Sequence, residues 1–489
     1  MGTFEVYWGR IDKSRERYFP RSGSSFKKKH LSMEKKNVYL IGIGGIGVSA
    51  VARYYLWKWW EVFWSDSTDS ELIHALIQEW CDIIIWKDFN RISKSLNLVI
   101  YSEAIPDSQQ ELSAARWLGV KTEKYNEALA SIVNDTKLIA ITGTHGKSTT
   151  TSLASLVLKD SPEQVNTIVG TILKEFWGKN AHFSQSDYFV IEACEYKEHF
   201  LAYRPSVAVI TNIEYDHADY FKTPDDYLRA FEKFIERVVP WGFLILNGDD
   251  TNCQKLIWIR KDIQYIEVFD DRFVTSPQPS PLKGEEETAT QIKKVWRFPD
   301  IKMQVPGNHI LFDAKLAYIV AHMIGIDDTH IISCLEAYTW VWRRMESIWK
   351  TEHGNTLMSD YGHHPTEIRL TLEALKKWNP EKQVFTIFQP HQYSRTIELL
   401  EDFKDCFSDT DTLIIPDIYE SRDSKEDMEK MNSQIFTEFI DHENKYDGKW
   451  MDNTLKLIKE YDAENPDSSI ILLLGAGDID NLRYKIKTS

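Results

Sequence analysis

Glycine is scarce in this chain of 489 residues: it holds 22, where the usual share of about 7% would supply roughly 34. Cysteine is scarcer, with five residues (Cys81, Cys194, Cys253, Cys334 and Cys406) and no C-x-x-C pair, so neither a thiolate zinc site nor a disulfide framework is indicated, and a reducing compartment fits. No apolar run reaches the ~20 residues that span a bilayer. The basic N-terminus lacks the apolar core of a signal peptide, so the expectation is a cytoplasmic protein with no membrane partner. Nor is there positive charge to spare. With 58 Lys+Arg against 74 Asp+Glu and a net charge of -16, the chain lacks the basic surface that a nucleic-acid backbone requires.

The length suffices for about three domains, each with its own core. Residues 1–34 are polar and basic, carry Lys27-Lys28-Lys29 and show no periodicity; they read as a flexible arm, and Met33 is an alternative start. The stretch "TSPQPSPLKGEEETAT" at 275–290 is too poor in apolar residues to order itself and reads as an inserted loop.

Two glycine turns stand out from the shortage. In "LIAITGTHGKSTTT", residues 138–151, a short apolar strand runs into Gly143, Thr144, His145, Gly146, Lys147, Ser148 and Thr149, and the hydroxyl run that follows contains no helix breaker. Such a strand-to-helix loop turns backbone N–H groups inward, and Lys147 adds a full positive charge, which suits phosphate; Ser148 would ligate magnesium. The spacing is shorter than G-x-x-x-x-G-K-[ST], because position 141 is isoleucine, so the context of strand and helix carries the reading against an ordinary turn. The second turn, in "NVYLIGIGGIGVSAVARYYL", is Gly42-x-Gly44-Gly45-x-Gly47, with Asp66 about 20 residues beyond it where a ribose contact is expected. This loop separates NAD poorly from another pyrophosphate ligand. A dehydrogenase resting on it alone would leave the loop at 143 unexplained, whereas an ATP-driven enzyme acting on a nucleotide-sugar uses both.

Two apolar segments also end in ligand-type side chains: Glu192 and Glu195 in "YFVIEACEYKEHF", and Glu214, Asp216 and His217 in "VAVITNIEYDHADYF". Each carboxylate alone reads as a solvated loop charge. Two clusters at strand ends, facing a phosphate loop, favour a divalent metal.

These segments, together with "NGDD" (247–250), "RRME" (343–346), "DYGHHPTE" (360–367), "FQPHQYSRT" (388–396) and "GAGD" (475–478), occur in the order found in Mur ligases. The resemblance covers about residues 36–482. It implies an α/β fold of three domains: a Rossmann-like domain at 35–134, a central P-loop ATPase-type mixed sheet with helices at 135–339, and a Rossmann-like C-terminal domain at 340–489. It also implies ATP and Mg2+ as cofactors, and UDP-N-acetylmuramate and L-alanine as substrates of an acyl-phosphate amide ligation. A recycling relative that adds a preformed tripeptide is the alternative, and a monomer or homodimer is expected. Carried over by motif, Gly143 to Thr149 with His309, Asp313 and Asp360 bind ATP, and Ser148, Glu192 and His217 hold metal. Gly42, Gly44, Gly45, Gly47, Ser49 and Asp66 bind the UDP substrate. Lys147, Glu192, His217, His363 and Arg395 are catalytic, with His363, His391 and Arg395 on the amino-acid side.

The chain departs from the family pattern at Ile310 and Asp313, where asparagines are usual, at Cys194, Tyr196 and Lys197, and at Gln392, where an arginine is usual. The 17 tryptophans are a further departure. Trp59, Trp64, Trp86, Trp340, Trp342 and Trp349 stand where the family turns on glycine, which is the pattern expected if UGA, read here as tryptophan, encodes glycine in the source organism.

Overall fold

The computed structural model describes residues 36–487 except 69, 80–81, 86–90, 277–292 and 422. The arm at 1–34, most of the 275–290 loop and Trp86 lie outside the described residues.

Three sheets follow one another along the chain. The first contains β1 (Asn37–Ile41), β2 (Glu61–Asp66), β3 (Asp82–Ile85), β4 (Leu98–Tyr101) and β5 (Thr122–Lys124) in the order β3-β2-β1-β4-β5, all parallel. The order reverses beside β1. In such a sheet a ligand binds at this reversal, outside the carboxyl ends of the strands, and the Gly42–Gly47 turn leaves β1 at that point.

The second sheet is mixed. It is built from β6 (Lys137–Thr142), β7 (Asn166–Leu173), β8 (Lys179–His182), β9 (Tyr188–Glu192), β10 (Val207–Ile210), β11 (Phe243–Asn247), β12 (Gln264–Val268), β13 (Arg272–Thr275) and β14 (Lys294–Arg297), in the order β14-β13-β12-β11-β10-β6-β9-β7-β8. Its centre is parallel and its edges, β12 to β14 and β7 to β8, are antiparallel. All of Leu138 to Thr142 in β6 and all of β10 are buried, as expected of parallel strands covered by helices on both faces. The loop after β6 therefore emerges between the ends of β9 and β10, which brings Glu192 and the 211–217 segment beside it.

The third sheet contains β15 (Glu346–Lys350), β16 (Thr356–Asp360), β17 (Gln383–Phe388), β18 (Thr412–Pro416), β19 (Lys445–Lys449) and β20 (Ser469–Leu474), ordered β15-β16-β20-β17-β18-β19. Only β15 is antiparallel to its neighbour. The central strand β20, "SIILLL", is buried throughout. One apolar cluster runs from the second sheet into the third, joining Ile141 and Val157 to Met358 and Leu372.

Candidate functional site

The loop after β6 is held open by glycine. Gly143 (φ 132°) and Gly146 (φ 79°) lie in left-handed or otherwise unusual backbone conformations. A Cβ at Gly143 would stand 2.1 Å from Thr211 Oγ1, and one at Gly146 would stand 2.5 Å from Asp313 Oδ1, so close approach as well as dihedral freedom excludes side chains here. Lys147 opens the helix Lys147–Lys159. Its Nζ donates to Gly143 O (2.6 Å) and Thr144 O (2.8 Å) and meets Glu195 Oε1 at 3.0 Å. Burial alone would lower its pKa, but the nearby Glu195 carboxylate outweighs burial and the net shift is upward. A fixed ammonium thus sits at a helix N-terminus, where backbone and dipole already favour an anion.

The carboxylates converge on the same loop. Glu192, at the end of β9, accepts from Gly170 N at 3.0 Å; a Cβ on Gly170 would lie 2.6 Å from that oxygen. Glu195 is buried between Lys147 and His217 Nε2, the latter at 3.5 Å. Burial would raise its pKa, yet the two cations hold it below the ordinary value. Glu195 Oε2 and His217 Nδ1 are buried with no hydrogen-bond partner among the described residues. The predicted metal donors Ser148, Glu192 and His217 therefore come from three segments at the carboxyl ends of the neighbouring central strands β6, β9 and β10.

A His and carboxylate grouping with ligand-like spacing, all atoms within 4.8 Å, is instead formed by His145, Glu214 and His364. His145 is not free to coordinate: Nε2 meets Glu214 at 2.8 Å and Nδ1 meets Glu367 at 3.2 Å. Burial opposes its charge, but these two carboxylates raise its pKa to about 9. The imidazolium is an ion bridge between the middle sheet's loop and the helix Pro365–Trp378, reinforced by Thr366 Oγ1 donating to Glu214 at 2.7 Å. Because the folded pKa is raised, this stabilisation is complete below the unfolded value of about 6.5 and fades as pH rises through about 9. The melting temperature of the protein is expected to fall relative to His145→Gln between pH 6.5 and 9.5, by an amount equivalent to about 1–3 kcal/mol; parallel pH profiles of the two proteins would refute the bridge.

Above the loop lies a cleft of about 390 Å³, lined by His145, Gly146, Thr149, His309 and Asp313 on one side and Arg344, Asp360, Thr366 and Glu367 on the other. Six residues predicted on the ATP side thus share one cavity. Lys147, Glu192 and His217 do not line it. Next to His217 in the chain, Asp216 Oδ1 accepts from Arg395 Nε at 3.0 Å, and Arg395 Nη1 lies 3.3 Å from His391 Nδ1. The His363 ring is 6.0 Å from that of His391, so the three residues predicted on the amino-acid side are contiguous.

Family models for the Mur ligases match nearly all of this architecture: the "Mur ligase family, catalytic domain" at residues 37–137, the Mur ligase middle domain at 141–321, and the "Mur ligase, glutamate ligase domain" at 343–477. The UDP-N-acetylmuramate–L-alanine ligase of Clostridium novyi is 35% identical over 92% of this chain and 96% of its own length. The ligase of the same name from Caldicellulosiruptor saccharolyticus is 34% identical over 90% and 96%. The chain belongs to the Mur ligase family. Among solved structures, the UDP-N-acetylmuramate-alanine ligase of Thermotoga maritima shares its fold, with a TM-score of 0.71 and 22% identity over 92% of this chain and 98% of that one. A murein peptide ligase of Psychrobacter arcticus does so with a TM-score of 0.65 and 17% identity over 93% and 98%.

Within this Mur ligase, the first glycine turn is closed on itself. Asp66 Oδ2 accepts from Gly44 N at 2.7 Å and Oδ1 from Thr68 N at 2.9 Å, so the carboxylate expected at a ribose braces the turn instead. A Cβ on Gly47 would lie 2.6 Å from the Tyr125 ring, and Gly42 has φ 80°. Ser49 is fully buried, donating to Ile46 O at 2.7 Å and accepting from Asn180 of the second sheet at 2.9 Å; it lies in a junction between sheets. Asp360 accepts from Met345 N and Gly362 N, both at 2.7 Å, and so shapes the cleft's wall.

Asp313 departs from the family's asparagine without losing its hydrogen-bonding pattern. Burial pushes its pKa well above the ordinary carboxylate value, which favours the protonated form, and in that form the group offers one donor and one acceptor, as a carboxamide does. Asp313→Asn is accordingly expected to keep ADP release within about threefold of the parent, well inside the 1.4 kcal/mol that a tenfold change represents; a loss beyond tenfold would show that the carboxylate itself is needed. Sequence reasoning assigned no role to Arg344, which lines the cleft and donates to Ser148 Oγ at 3.3 Å. Its only signal was its place in "RRME".

Proposed function

We propose that this chain joins L-alanine to the lactyl carboxylate of UDP-N-acetylmuramate at the expense of ATP, giving amide, ADP and phosphate. One observation carries the reading: two separate glycine loops, one armed with a half-buried lysine, provide for two phosphate-bearing substrates in one molecule. The names of the relatives that match over nine-tenths of the chain supply the substrates.

In the first step a carboxylate oxygen attacks the γ-phosphorus, the bond to the bridging oxygen breaks, and ADP leaves with an acyl phosphate formed. The Lys147 ammonium, turned away from Gly143 O and Thr144 O, and the N–H groups of Gly146 to Ser148 at the helix start neutralise the phosphate charge, those of Thr144 and His145 being already given to Asn212. The donor set suits magnesium: Ser148 and Glu192 offer oxygen, and His217 has a buried Nδ1 still to be satisfied. When bound, that ion supplies further charge neutralisation. In the second step the amine attacks the acyl carbon, phosphate leaves, and the nitrogen gives up a proton. Burial lowers the pKa of His363 to about 3, so this imidazole stays neutral and is too weak a base to keep that proton, which leaves with the phosphate or to solvent; its Nδ1 faces the acceptors Tyr361 O (3.2 Å) and Glu367 (3.5 Å), which leaves Nε2 to accept a hydrogen bond that orients the amine.

The catalytic parts are divided among units that we place at 35–134, 135–339 and 340–489, so closure of the units assembles the site. No helix among the described residues is long and apolar enough to cross a membrane, and a cytoplasmic monomer or homodimer is our reading. The test is ADP release with UDP-N-acetylmuramate and either L-alanine or the tripeptide. Release requiring both sugar nucleotide and L-alanine supports the assignment; release with tripeptide alone, or with neither, overturns it.

A further inference from the structure

Left-handed backbone is uncommon for residues that carry a Cβ, yet among the described residues four tryptophans adopt it: Trp59 (φ 63°), Trp177 (φ 54°), Trp241 (φ 66°) and Trp258 (φ 70°). Hydrogen bonds identify what three of these positions are. After the helix Ile46–Trp57, Trp59 N donates to Leu56 O at 2.9 Å and Trp60 N to Tyr55 O at 3.0 Å. This is the paired bonding of a Schellman cap, whose left-handed residue is ordinarily glycine. Trp177 repeats the pattern after Lys174–Phe176, with Trp177 N on Lys174 O at 2.8 Å and Gly178 N on Leu173 O at 3.0 Å. Trp241 follows Pro240 in a turn closed by Gly242 N donating to Val239 O at 2.9 Å. It occupies the third position of a type II turn, which requires positive φ and selects glycine.

The same chain supplies its own controls. The helix Gln110–Trp117 ends with Gly119 N on Arg116 O (3.1 Å) and Val120 N on Ala115 O (3.0 Å), around Gly119 at φ 72°. The helix Asn308–Ile324 ends with Gly325 N on His322 O (3.0 Å) and Ile326 N on Ala321 O (3.2 Å), around Gly325 at φ 94°. One geometry is thus capped by glycine at two helix ends and by tryptophan at two others.

The indoles of Trp59 and Trp177 bury little in return. Trp59 is 86% exposed and Trp177 81%, although the main use of a tryptophan is to bury a large apolar surface. Trp64, by contrast, is fully buried in β2 with its indole N–H lacking a hydrogen-bond partner among the described residues. Of the six tryptophans singled out from sequence, Trp86 lies outside the described residues, and among the other five Trp59 alone has a left-handed backbone. Trp64, Trp340, Trp342 and Trp349 do not, and Trp177, Trp241 and Trp258 take their place.

We propose that the native protein carries glycine in place of Trp59, Trp177, Trp241 and Trp258, the codon UGA being read as glycine by the cells that make it. Part of the glycine shortage and part of the tryptophan surplus are then one fact, and three capping or turn positions, with Trp258 in the same backbone region, recover the residue their backbone selects. The alternative occupant of these positions, a genuine tryptophan on an exposed docking surface, predicts the opposite peptides. Protein isolated from its source cells is to be digested and the peptides spanning these sites sequenced by mass spectrometry. Glycine at all four is expected; tryptophan at Trp59 or Trp177 overturns the proposal. A second measurement needs no native material: the full chain bearing W59G, W177G, W241G and W258G is expected to melt several degrees above the chain as written, or to fold where the latter does not. An equal or lower melting temperature removes the strain on which the inference stands.

Discussion

Lys147→Met is expected to lower ADP release by about a thousandfold, the scale seen when a single preorganised charge or donor is taken from a developing anion. The methionine keeps the length and apolar contacts of the side chain and removes only the ammonium. Two consequences must be separated, because Lys147 also neutralises the buried Glu195 at 3.0 Å. Removing one partner of a buried pair costs about 3–5 kcal/mol through the charge left behind, so Lys147→Met is expected to melt at a lower temperature as well as to fail in turnover. Adding Glu195→Gln removes the orphaned charge. The double variant should regain most of the melting temperature and none of the ADP release. A Lys147→Met protein that folds and retains more than a tenth of the parent rate would show that this loop does not bind the reacting phosphates.

Both glycine loops were legible in the sequence because their chemistry is local. A positive φ, a close approach and an anion-binding helix start each demand a residue type at a fixed offset from a strand, and Gly42 and Gly143 stand where that logic puts them. The apolar runs before Gly143 and before Glu214 read as strands for the same reason, and as β6 and β10 they are buried as parallel strands covered on both faces. What sequence could not supply were pairings made by the packing of one sheet unit on another. Thr366 reaches Glu214 across 152 residues, and nothing near either residue encodes the meeting. Asp66 shows the converse: a side chain at the right offset for a ribose turns back onto its own loop through Gly44 N. Composition exposed the exchange of glycine for tryptophan, but only the backbone shows which tryptophans occupy positions that select glycine, since a turn's dihedral angle is not written in the residue that fails to suit it.

Arg395 and Asp216 form the most consequential of these long-range pairings. They are 179 residues apart, and Nε and Nη2 of the guanidinium reach the two carboxylate oxygens at 3.0 and 3.4 Å. Both side chains are buried. Burial would raise the pKa of Asp216, but Arg395 holds it well below the ordinary range, so the link persists above the unfolded carboxylate value and is lost only as pH falls through the depressed folded one. Arg395→Met leaves Asp216 buried and unpaired next to His217, and is expected to cost about 3–5 kcal/mol. That loss falls on the contact between the loop after β10 and the helix Tyr393–Glu398. The melting temperature should drop, and small-angle scattering should report a larger radius as the third unit swings away from the second. Arg395→Lys is expected to recover only part of the loss, because an ammonium cannot match both oxygens as a planar fork does. Arg395→Met combined with Asp216→Asn should be more stable than Arg395→Met alone, yet remain as open in scattering, since no charge then draws the units together. If the double variant instead closes like the parent, packing holds the units together and the ion pair serves only to position His391 and His217.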